Sequence, residues 1–122
     1  MTESYLFDTY AIIEIIKGNI NYKKFIDKNI VINNFIFSEL CYFLFGNKYP
    51  ESDKYLNRYK KFISSINPTT IIKAMKFRYN NKKKEMSMTD CISYFMAKEL
   101  GIKFLTGDKE FENLENVEFA KK

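Results

Sequence analysis

The sequence predicts an α/β fold in which a parallel sheet is covered on both faces by helices. Three observations carry this. Short runs such as Tyr5-Leu6-Phe7 and Ile30-Val31-Ile32 are continuously apolar rather than alternating, as strands buried on both faces must be. Longer segments with apolar residues at helical spacing lie between them. Gly and Pro number only 4 and 2 in 122 residues, a composition that leaves helices uninterrupted.

The elements follow in order. Tyr5-Leu6-Phe7 reads as a buried first strand ending at Asp8. Thr9 to Lys17 is a helix with Ile12, Ile13, Ile15 and Ile16 on its apolar side, stopped by Gly18. A helix over Asn21 to Asp27 leads to the second strand at Ile30 to Ile32. A strongly apolar helix spans Phe35 to Phe45, with Gly46 just past its end. Glu51 to Phe62 is an amphipathic helix following Pro50, and Ser64 to Asn67 is a third strand before Pro68. Thr69 to Asn80 is helical. Ser87 caps the next helix, in which Met88, Cys91, Ile92, Phe95, Met96 and Leu100 recur at helical spacing before Gly101 ends it. Lys103 to Thr106 is a fourth strand, Lys109 to Leu114 a short helix and Val117 to Phe119 a last strand. No linker or internal repeat divides the chain, so residues 1–122 form one domain.

Composition narrows the chemistry. Hydrophobic residues make up 46% and aromatics 17%, enough for one core, and 12 Phe with 9 Tyr exceed what so small a core needs, which points some of them to an interface. No apolar run reaches the roughly 20 residues that a membrane span needs. The start, Met1-Thr2-Glu3-Ser4, lacks the basic region of a signal peptide, and Cys41 and Cys91 read as free thiols, so a cytoplasmic protein is expected. Histidine is absent. That removes His general bases, the Ser-His-Asp triad and nearly all zinc sites, and leaves carboxylates, lysines, hydroxyls and a hard cation such as Mg²⁺ or Mn²⁺. The net charge of +5 permits a polyanionic partner.

Topology then gathers four acids. In a parallel sheet the carboxyl ends of strands and the amino ends of helices share one edge. Asp8 follows the first strand, and Asp108 follows the fourth after Thr106-Gly107. Glu39 lies early in the helix after the second strand, and Asp90 in the first turn of the helix leading into the fourth. Singly, Asp8 and Asp108 read equally well as helix caps, and Asp90 as the acidic member of a capping box with Ser87. Glu39, with Phe35, Ile36, Tyr42 and Phe43 around it, reads as a carboxylate on an apolar face, costly unless paired or coordinated.

The segments Leu6-Phe7-Asp8-Thr9, Ser38-Glu39-Leu40, Met88-Thr89-Asp90-Cys91-Ile92 and Leu105-Thr106-Gly107-Asp108-Lys109-Glu110-Phe111 resemble the PIN domain, most closely the small VapC-type toxins of toxin–antitoxin pairs. The resemblance spans essentially the whole chain. It implies an α/β/α sandwich with a central, mostly parallel five-stranded sheet and Mg²⁺- or Mn²⁺-dependent endoribonuclease activity. It makes Asp8, Glu39, Asp90 and Asp108 the catalytic, metal-binding carboxylates and Thr106 a hydroxyl that orients a carboxylate or water, and it puts Glu110 at a position that is sometimes a further acidic residue, read either as a ligand or as a solvated acid that complements a helix dipole. Water attack at phosphorus would leave a 5′-phosphate and a 3′-hydroxyl. RNA, a cognate antitoxin held along an apolar groove lined by the helices at Phe35–Phe45 and Glu51–Phe62, and a second copy of the chain are the implied partners. Many relatives carry a small polar residue two positions after the first Asp, where this chain has Tyr10.

Lys109 and the run Lys82-Lys83-Lys84 are placed to hold flanking phosphates, and Tyr10, Tyr42 and Tyr49 to stack on bases or to pack. The competing readings are a PIN nuclease of RNA processing and a catalytically silent PIN-like binding module. A receiver domain lacks its paired acids here, since Glu3 and Asp8 are far apart, and a DxD phosphatase is excluded by Thr9-Tyr10 after Asp8.

Overall fold

The computed structural model describes residues 3–122. Met1 and Thr2, part of the start read as lacking a leader, lie outside the described residues. Four strands, β1 (Ser4–Phe7), β2 (Asn29–Val31), β3 (Lys103–Thr106) and β4 (Val117–Phe119), form one all-parallel sheet in the order β2-β1-β3-β4. Five α-helices accompany it: α1 (Thr9–Lys17), α2 (Asn34–Gly46), α3 (Ser52–Tyr59), α4 (Pro68–Asn80) and α5 (Met88–Leu100). Tyr5, Leu6 and Phe7 are all buried, as are Phe104, Leu105 and Thr106, so both faces of the central strands are covered. The mixed α/β architecture with a helix-flanked parallel sheet is the one the sequence predicts.

The sheet has four strands rather than five. The strand expected over Ser64–Asn67 is reduced to one parallel bridge between Ile63 and Ile32, in which the Ile32 N–H donates to Phe62 O and the Ser64 N–H to Ile32 O. The reason is local. Asn33 already turns the chain into α2, its side chain accepting the Ile36 N–H, and Asn67 caps α4 by accepting the Thr69 N–H. On the β2 side only Asn33 separates the bridge from α2, so no second pair of residues is available to lengthen the ladder.

Two expected short helices form as 3₁₀ turns, Ile20–Phe25 and Lys109–Phe111. Segments this short gain too few hydrogen bonds to offset α-helix nucleation. The helix expected to run to Phe62 stops as α3 at Tyr59 and tightens to 3₁₀ over Lys60–Phe62. Gly46, expected beyond its helix, is the last residue of α2, and Asn47 caps it. Gly18 and Gly101 end α1 and α5 as expected, with φ of 81° and 69° in the left-handed region where a side chain is unfavourable.

Much of the aromatic content is core. Tyr94 of α5 stands edge-on to Phe104 of β3 at 6.3 Å and beside Phe111 at 5.8 Å, and Tyr5 meets Phe25 at 5.4 Å. Cys41 and Cys91 are free thiols, as expected. Among the described residues no helix is long and apolar enough to cross a membrane.

Gly107, between β3 and Asp108, shows how tightly the sheet edge is closed. A Cβ there would lie 2.6 Å from Tyr22 Oη and 2.8 Å from Ala120 O, across the hydrogen bond that the buried Tyr22 hydroxyl donates to that carbonyl. Gly107→Ala is therefore expected to cost about 1–3 kcal/mol through overpacking. A thermal melt should show Tm lower by roughly 4–10 °C, and an unchanged Tm would mean that this edge relaxes freely.

Candidate active site

The chain leaves β1 toward β2 on one side and comes back to β3 on the other, so the strand order reverses between β1 and β3. The carboxyl ends of strands at such a reversal open a crevice. Phe7 pairs with Leu105, and the next residues are Asp8 and Thr106. Asp8 is 1% exposed. Its Oδ1 accepts the Ala11 N–H at 2.6 Å, capping α1, and its Oδ2 accepts the Thr106 hydroxyl proton at 2.6 Å. The cap reading and the site reading of Asp8 thus hold together: capping fixes the carboxylate, and each oxygen keeps a lone pair for another partner.

Thr106 joins two acids. Its Oγ1 donates to Asp8 and accepts the Asp108 N–H at 3.1 Å. Asp108 is half-buried, and its Oδ1 accepts the Glu110 N–H at 3.0 Å, capping the Lys109–Phe111 turn. Glu110 is half-buried beside it.

Asp90 sits in the first turn of α5, half-buried, with its backbone N–H donated to the Ser87 hydroxyl at 3.0 Å. Burial, then the charges of Asp8, Asp108 and Glu39, push its carboxyl up to about 7. Asp90 therefore lies within the field of the other three acids, and Asp8 within that of Asp108. Burial likewise raises Asp8 to about 6, partly offset by its bonds to Thr106 and Ala11 and by the charge of Lys122.

Glu39 departs from its expected surroundings. It is solvent-exposed, because Phe35 at 43% and Tyr42 at 83% exposure leave that side of α2 open to water. It therefore bears no burial cost. Its tie to the site is a short hydrogen bond from the Thr9 hydroxyl, which follows Asp8 directly. Thr9 escaped the sequence reading, because a threonine after a strand carries no local mark of a partner thirty residues away.

Thr9, Tyr10, Ile13, Ser38, Glu39, Tyr42, Phe43, Glu85, Asp90 and Asp108 are among the residues lining one open groove of about 860 Å³. α2 supplies much of its apolar wall, while α3 supplies none of the lining residues. Tyr10, the departure from the family pattern, lies at the rim with the Lys122 ammonium 3.9 Å from its ring centroid. Lys122 is the second residue missed in sequence, since nothing local ties the chain's last described residue to Tyr10. Lys109 is exposed next to Asp108.

The donor set fits Mg²⁺ or Mn²⁺ in kind, being carboxylate and hydroxyl oxygen only. Its spacing is open. Among the described residues no three acidic or cysteine side chains stand close enough to hold an ion between them.

The family model of the PIN domain matches residues 5–117. The chain belongs to the PIN-domain family. Solved structures share its fold. A toxin–antitoxin complex from Klebsiella pneumoniae superposes with a TM-score of 0.77 at 19% identity, over 93% of this chain and 95% of that one. VapC20 of Mycobacterium tuberculosis, a toxin that cleaves the sarcin–ricin loop, gives 0.73 at 15% identity over 95% and 98%. VapBC2 of Rickettsia felis, bound to a fragment of its promoter DNA, gives 0.72 at 18% identity over 98% of each chain. No curated protein matches the sequence. The PIN reading made from Asp8, Glu39, Asp90 and Asp108 is thereby borne out for the family and the fold.

Proposed function

We propose that this PIN domain is a divalent-metal-dependent endoribonuclease and the toxin of a VapBC-type toxin–antitoxin pair. The observation that carries the reading is the convergence of Asp8, Glu39, Asp90 and Asp108 on the crevice where the strand order reverses. Likeness to VapC20 and to two toxin–antitoxin assemblies supports the toxin role.

Asp8, Glu39, Asp90 and Asp108 would hold Mg²⁺ or Mn²⁺. Such a cation, when bound, would supply a water of lowered pKa and offset charge on the phosphate oxygens. Asp8 is the fixed member, held by Ala11 and Thr106. Glu39 is held by the Thr9 hydroxyl, and Asp90 lies against Ser87 in the first turn of α5. Water attack on phosphorus gives a 5′-phosphate and a 3′-hydroxyl. The exposed apolar side chains of α2, Phe35, Phe45 and the groove-lining Tyr42, fit an antitoxin segment or a second copy of the chain, the assembly acting in the cytoplasm.

A catalytically silent PIN-like binding module is the second reading, and the open spacing of the carboxylates favours it. Incubation of the purified protein with RNA separates the two. Cleavage in Mg²⁺ that stops in EDTA supports the nuclease; RNA left intact in Mg²⁺ and in Mn²⁺ supports the binding module. Growth arrest on expression, relieved by the neighbouring gene's product, tests the toxin role.

A further inference from the structure

A second cavity of about 600 Å³ lies beside the acidic groove and shares Glu85 and Ser87 with it as a common wall. Its other lining residues are Met75, Arg78, Tyr79, Lys82, Lys84 and Met86, drawn from the end of α4 and the loop before α5. Three cations against one carboxylate, Glu85, make it a basic pocket next to an acidic one.

We infer that this cavity is a nucleotide subsite, in which Arg78 holds a phosphate flanking the scissile one and Tyr79 stacks on the attached base of a single-stranded RNA. The inference rests on the ribonuclease reading for its substrate and on the following geometry for its place. Arg78 donates its Nε–H to Met86 O at 2.9 Å. That bond fixes the guanidinium plane and leaves the terminal nitrogens for a planar, two-pronged contact with an anion. No carboxylate lies within ion-pairing distance of Arg78 among the described residues. Tyr79 is 69% exposed, yet its ring is held by the Lys82 ammonium 4.9 Å from the centroid. An exposed tyrosine beside two lysines and a fixed arginine has the composition of a stacking platform on a charged groove.

The same anchor sets the distance to the reaction. Met86, whose carbonyl holds Arg78, precedes Ser87, whose hydroxyl receives the Asp90 N–H. Arg78 is therefore tied to the start of α5 and Asp90 by two hydrogen bonds and the Met86–Ser87 peptide between them. Sequence reading placed Lys82, Lys83 and Lys84 near flanking phosphates; the structure puts Lys82 and Lys84 at the cavity and makes Arg78 and Tyr79, which no motif marked, its centre.

The test is fluorescence anisotropy of a labelled single-stranded RNA on the full chain carrying Asp90→Asn, in Mg²⁺. Tyr79→Ala and Arg78→Ala should each raise Kd about tenfold, Arg78→Ala should lower the salt slope by about one, and Tyr79→Phe should bind like its parent. Because Tyr79 is exposed, Tyr79→Ala stays folded even if Arg78→Ala loosens the loop. Equal affinity of Tyr79→Ala and its parent, or no RNA binding at all, overturns the subsite. Absence of cleavage by the unmodified protein, with the Tyr79 dependence of binding intact, overturns the nuclease reading and leaves the subsite standing.

Discussion

Asp90→Asn is expected to abolish RNA cleavage, lowering kcat on the order of 10³-fold, the scale set by removing one preorganised electrostatic partner at a reacting phosphate. The fold should survive. The substitution is isosteric, and the cap that starts α5 uses the backbone N–H of residue 90, which an Asn retains. The variant should also be more stable than its parent in EDTA at pH 8, because it removes the carboxylate that burial and three neighbouring charges disfavour most. Circular dichroism and a melt beside the cleavage assay give all three readings. Full activity would remove Asp90 from the site, and an unfolded variant would make it structural.

The second large effect is on stability as a function of pH and metal. Asp8 and Asp90 ionise near 6 and near 7 in the folded chain, against 3.8 when unperturbed. Between those values the folded state keeps protons that the unfolded state has released, so stability falls as pH rises from about 4 to about 7. Both shifts together, discounted for solvent reaching the half-buried Asp90, amount to on the order of 2–4 kcal/mol. With no histidine in the chain, little besides the amino terminus titrates between pH 5 and 8, so the effect is readable. In EDTA, Tm should drop by roughly 5–10 °C from pH 5 to pH 8. Mg²⁺ should restore it at pH 8 and do little at pH 5, where the proton competes with the ion. A metal-free Tm that is flat or rises over this range, with no response to Mg²⁺, would mean that the four acids do not act as one electrostatic unit.

Local signals were legible in the sequence because they act over three or four residues. The cap at Ser87, the stops at Gly18 and Gly101, and the apolar runs of β1 and β3 each depend on near neighbours, and each formed where expected. The common edge of Asp8, Glu39, Asp90 and Asp108 was legible too, since strand–helix alternation leaves few ways to connect a parallel sheet. Glu39 was misjudged for a physical reason. Apolar neighbours on a helix mark a face, but only packing decides whether that face meets the core or water, and here Phe35 and Tyr42 meet water.

The tertiary structure alone decided the remainder. It shortened the expected third strand to the Ile32–Ile63 bridge, because two asparagine caps turn the flanking chain away. It set the Thr106 hydroxyl between Asp8 and the Asp108 amide, a junction across 98 residues fixed by the register of β1 on β3. It brought Thr9 to Glu39, Lys122 to Tyr10 and Arg78 to the loop before α5. Sequence by itself determined which residue types could serve, and an oxygen-only set without histidine follows from composition. Which oxygens are joined to which partners depends on hydrogen bonds between distant segments, and those exist only once the sheet has closed.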